Sequence, residues 1–162
     1  MLFVKYPLIE GLVLSTLLSI VIVIDIKRKI IPFYLNLFLL IISFILGVNC
    51  HGHRTTILGG LGGFIFMLLL YYLGLLFAKY CQKVHSNQIT VNGLGLGDVL
   101  FGGGLSLLIG WPFSIILIFL TIIFAGCYSL IYKAIKKATN RYRTFTSIPL
   151  TPFFVLSAIL LF

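Results

Sequence analysis

Carboxylates are nearly absent from this chain: Glu10, Asp25 and Asp98 are the only acidic residues among 162. Any chemistry that needs two aspartates must therefore use Asp25 and Asp98. Charge of either sign is scarce, at 9% of residues against 60% hydrophobic, and that ratio excludes a soluble globular domain. Cysteine is sparse too. Cys50, Cys81 and Cys127 are odd in number, widely spaced and free of any C-x-x-C pair, which excludes a disulfide framework and a thiolate zinc site.

What is present is apolar sequence interrupted by basic clusters, with a mean hydropathy of +1.19, the composition of an all-α integral membrane protein. A net charge of +9 would suggest nucleic acid in a soluble protein. Here the basic residues lie between apolar runs, as they do in cytoplasmic loops, so no nucleic-acid partner is implied and the bilayer is the medium. The apolar run after Lys5 is longer than a signal-peptide core and lacks a small-residue cleavage pattern, so it reads as a retained first span.

The chain reads as a single transmembrane domain over residues 1–162, with about six spans at 8–24, 33–48, 57–78, 99–110, 113–132 and 148–162. Pro32 forces a turn after the basic run that follows Asp25. A polar loop is expected at 49–56, the longest polar segment at 79–97, and a basic loop at 133–147. Placing the N-terminus outside puts ten of the twelve basic residues on the cytoplasmic side, leaving Lys5 and Arg54 outside. Asp25 and Asp98 then share the cytoplasmic side, in a multi-pass protein of the inner membrane.

Two features mark where chemistry would sit. Gly93, Gly95 and Gly97 alternate ahead of Asp98, giving a pliable backbone that delivers a carboxylate to the mouth of a helix. The span that follows is only about 18 Å long against about 30 Å of hydrocarbon. With Trp111 and Pro112 at the far interface, Asp98 falls inside the membrane. Gly59, Gly60, Gly62 and Gly63 read as packing residues that let another helix approach closely.

Two carboxylates at one level of a membrane bundle are a functional signal, because an ionisable group at that depth is costly. They can share a proton around one water, the arrangement of an aspartic protease dyad. The structural alternatives are a helix cap for Asp98 and headgroup ion pairs with Arg28 and Lys29 for Asp25. A proton relay in a small transporter or channel component is another reading, and a helper protein without catalysis a third. His51-Gly52-His53 lacks a third ligand nearby, so no metal and no cofactor is expected.

With these residues in view, the chain resembles the type IV prepilin peptidases, membrane aspartic proteases of the GxGD class. Gly95-Leu96-Gly97-Asp98 resembles the second catalytic motif, and Gly110-Trp111-Pro112 its usual continuation. Asp25 followed by basic residues and Ile31-Pro32 resembles the first, and Ile148-Pro149-Leu150-Thr151-Pro152-Phe153 the closing segment. The chain has Leu100 where the family often has Lys, and Phe33 where it has a polar residue. The resemblance implies catalysis by Asp25 and Asp98 with Gly95, Gly97 and Pro32 in support. It also implies cleavage of the basic leader from prepilins or pseudopilins at the cytoplasmic face. The paired C-x-x-C motifs that accompany N-methylation in bifunctional members are missing, so no methyltransferase activity is expected.

Overall fold

The computed structural model describes residues 7–28, 32–84, 95–138 and 149–161. Every element among them is helical: α1 (Pro7–Arg28), α2 (Phe33–His51), α3 (His53–Val84), α4 (Leu96–Ile109), α5 (Phe113–Ala138) and α6 (Thr151–Leu161). Three of the six, α2, α3 and α5, contain stretches long and apolar enough to cross a membrane. The 14 residues of α4 and 11 of α6 extend only about 21 Å and 17 Å, so neither crosses the hydrocarbon by itself.

The distribution of side chains is inverted relative to a water-soluble bundle. Asn36, Ser43, Thr56, Ser106, Ser114, Thr121 and Ser157 are buried, while Phe38, Leu61, Ile65, Leu76, Leu130 and Ile159 are exposed. Such a surface matches a lipid solvent, which rewards apolar exposure and leaves polar groups to find partners inside. Several do so on their own helix. Ser106 Oγ donates to the Gly102 carbonyl at 2.8 Å, and Thr121 Oγ1 to that of Leu117 at 2.8 Å. Thr121 Oγ1 also lies 3.1 Å from Ser157 Oγ, a polar contact that joins α5 to α6.

At the centre stands α4, which packs against α2, α3, α5 and α6 and buries almost every residue from Val99 to Ile109. A helix enclosed on all sides needs neighbours close to its axis, and its sequence supplies them with room. A Cβ on Gly102 would lie 2.9 Å from Phe154 of α6; one on Gly103, 2.9 Å from Phe64 of α3; one on Gly104, 3.0 Å from Leu39 of α2. Three consecutive glycines thus admit side chains from three helices. On α3, Gly60 and Gly63 receive Leu107 and Ser106 of α4, and Gly59 receives the Gly110 backbone, the close packing expected of that stretch.

Helix ends depart from the sequence reading in a consistent direction. The expected polar loop at 49–56 shrinks to Gly52, whose φ of 83° breaks the chain between α2 and α3. The Thr56 amide and Thr55 hydroxyl both return to the Gly52 carbonyl, at 3.3 and 3.1 Å, so the polar residues start α3 and form no loop. Lys79 and Lys133 likewise continue α3 and α5. Gly97 belongs to α4, so the alternating-glycine segment becomes helical before Asp98. Lys29, Ile31, Gly93, Leu94, Arg141, Arg143 and Ile148, and most of the segments 79–97 and 133–147, lie outside the described residues.

Candidate active site

The two aspartates arrive from opposite directions. α1 extends past residue 24, so Asp25 sits within its last turn, and α4 presents Asp98 in its first turn. Asp25 is 4% exposed; the Arg28 side chain and Lys29, its candidate ion-pair partners, lie outside what is described. Its Oδ2 accepts the amide of Thr151 at 3.3 Å, at the first residue of α6. Asp98 remains part-exposed. It is close enough to Asp25 for the two charges to repel.

Asp98 does act on the helix start, though not as the residue preceding it. The residue preceding α4 is Gly95, and the Asp98 carboxylate reaches back to accept the Gly95 amide at 3.3 Å. This bond fixes the carboxylate over the turn. A Cβ at Gly95 would stand 3.4 Å from Asp98 Oδ2, in ordinary contact, so the glycine is not demanded by space alone. Gly97 holds the same turn from the other side, since its carbonyl accepts Asn36 Nδ2 at 3.1 Å.

Pro32 contributes through α2. It precedes the helix with ψ of 137°, and its carbonyl accepts the amides of Leu35 and Asn36 at 3.1 and 3.3 Å. The proline therefore sets where α2 begins, and with it the height of Asn36 against Gly97. Asn36 and Thr151 were not singled out from sequence. A lone amide in the run FYLNLFLLII was the available signal, because an unpaired amide is costly in an apolar medium.

The site lies below the tops of its taller neighbours. Met67 of α3 faces Gly102, and the apolar part of α3 continues to Tyr80, about 20 Å further along the helix. Asp98 is only about 6 Å from Gly102 in the same direction. Along the middle of α4 an apolar cavity of about 400 Å³ opens between α2, α3 and α4, lined by Leu40, Ile57, Phe64, Leu100 and Leu107 among others. Leu100 thus serves an apolar wall. His51 and His53 lie at the opposite end of α4, where His51 approaches Gly110, and among the described residues no third metal ligand joins them.

Fold and site together define a helical membrane protein with two aspartates at one end of its bundle. A profile of the type IV leader peptidase family matches residues 12–130, more than half of the chain, and the protein belongs to that family of peptidases. The matched region contains both aspartates and ends before α6. No curated protein and no solved structure matches the chain significantly.

Proposed function

We propose that this protein is a membrane aspartic endopeptidase that removes the short basic leader from type IV prepilins or pilin-like proteins, at the cytoplasmic face of the inner membrane. The observation that carries the reading is the placement of Asp25 at the end of α1 and Asp98 at the start of α4, the only aspartates of the chain, at one end of an apolar bundle. In the reaction the ionised carboxylate takes a proton from water as its oxygen bonds to the scissile carbonyl carbon. The protonated carboxyl gives its proton to the carbonyl oxygen. As the tetrahedral species collapses, the C–N bond breaks, the departing nitrogen takes the first proton, and the second returns to its carboxylate. Peptide and water give an acid and an amine, and the pair ends as it began.

Appearance of a shortened prepilin, when the purified full chain in lipid vesicles meets its substrate, tests the activity. The dyad supplies both acid and base, so the rate should be unchanged by a strong chelator. Inhibition by the chelator, reversed by zinc, would contradict an aspartic mechanism.

Orientation is part of the proposal: six helices with the N-terminus outside, each associated with the membrane. The structure gathers the exposed Lys27, Lys79 and Lys133 onto helix ends nearest the aspartates, the side that basic residues mark as cytoplasmic. Single cysteines replacing His53, Lys79 and Lys133 in a cysteine-free background should be labelled from outside, inside and inside respectively. Outside labelling at position 79 would overturn the orientation.

A further inference from the structure

Peptide hydrolysis at membrane depth poses a problem that the two carboxylates do not solve. A scissile segment must leave its helix to present its carbonyl, and its freed backbone N–H and C=O groups then need partners where water is scarce. The site contains two polar atoms suited to that demand. Asn36 is 1% exposed and donates its Nδ2 to the Gly97 carbonyl, yet its Oδ1 has no hydrogen-bond partner among the described residues. Thr151 is 0% exposed and gives its backbone amide to Asp25, yet its Oγ1 also has no partner there.

Each residue is tethered to one aspartate motif by one polar group and keeps a second unused. Leaving buried polar atoms unsatisfied is costly, and of the six such atoms among the described residues these two belong to residues bonded to the aspartate motifs. Their chemistry is complementary to a peptide unit: the Asn36 carbonyl oxygen only accepts, and the Thr151 hydroxyl can donate.

We propose that Asn36 and Thr151 bind the extended backbone of the substrate beside the scissile bond, Asn36 Oδ1 accepting a substrate N–H and Thr151 Oγ1 donating to a substrate carbonyl. This rests on the peptidase reading above and assigns the part of the site that holds the chain while the aspartates cut it.

The test uses the full chain in lipid vesicles and prepilins in which one backbone amide flanking the scissile bond is replaced by an ester, which removes a single N–H. With wild type, one such substrate should lose about 3- to 10-fold in kcat/KM, the effect of one neutral hydrogen bond. With Asn36→Leu that ester penalty should vanish, because the acceptor is gone. In parallel, Thr151→Val, which keeps the side chain's shape, should lose about 3- to 10-fold while Thr151→Ser stays within about twofold. Esters cut as fast as amides by wild type, or an equal penalty in wild type and Asn36→Leu, would overturn the role of Asn36. Equal behaviour of the Val and Ser variants would overturn that of Thr151. If wild type leaves the all-amide prepilin intact, the peptidase reading itself fails, an outcome distinct from the others.

Discussion

Asp25→Asn and Asp98→Asn should each lower leader cleavage by about 10³-fold or more, the scale of losing a positioned acid or base, while the protein still accumulates in the membrane. Asparagine nearly preserves the shape of aspartate and can still accept the amides of Thr151 and Gly95, so the contacts that hold each side chain survive. What it cannot do is take or give the proton. The two losses should not add, because a dyad missing either member has no second route. Gel mobility of a prepilin co-expressed with each variant reads the result. Cleavage near the wild-type rate by either variant would remove that aspartate from the mechanism.

The second large effect concerns the bundle. Gly59→Ala places a Cβ 2.5 Å from the Gly110 carbonyl carbon and 2.7 Å from the Trp111 nitrogen, both backbone atoms at the turn between α4 and α5. That turn is already tied to α3 by the Trp111 amide, which donates to the Thr55 carbonyl at 3.0 Å, so it cannot retreat freely. The cost should reach the upper part of the usual overpacking range, about 3 kcal/mol, enough to deplete folded protein. Gly62→Ala meets only the Trp111 ring at 3.4 Å, and Gly126→Ala meets nothing within 4 Å. Thermal aggregation in detergent should therefore rank Gly59→Ala far below the other two. Equal stability of all three would contradict the packing described.

The contrast among these glycines was not legible in sequence, where all four at 59–63 look alike. Which of them touches backbone depends on how α4 crosses α3, and only tertiary placement sets that. Charge was more informative. An Asp in an apolar chain carries a free-energy cost that is visible without any structure, so Asp25 and Asp98 stood out as site candidates from the sequence. Helix centres were legible for the same reason, since long apolar runs have few uses outside a membrane. Helix ends were not, because a helix entering the headgroups continues through polar residues, as His53 to Thr56 and Lys79 do. Asn36 and Thr151 were missed because a neutral polar side chain in an apolar run usually satisfies itself on its own helix, as Ser106 does. Their unpartnered atoms appear only once the neighbours are in place.

The claim at the centre of this account is that Asp25 and Asp98 work as one proton-sharing unit, and the pH dependence of prepilin cleavage tests it most directly. A dyad that works through one water needs one carboxylate as base and the other as acid, so only its singly protonated form is competent. Measured as kcat/KM with the full chain in vesicles, the wild-type profile should be a bell. Rate falls on the acid side as the remaining carboxylate gains its proton, and on the alkaline side as the shared proton leaves. A profile that rises to a plateau with no alkaline fall while the protein stays folded, or a chain that moves protons across vesicles yet cuts no prepilin, would contradict it.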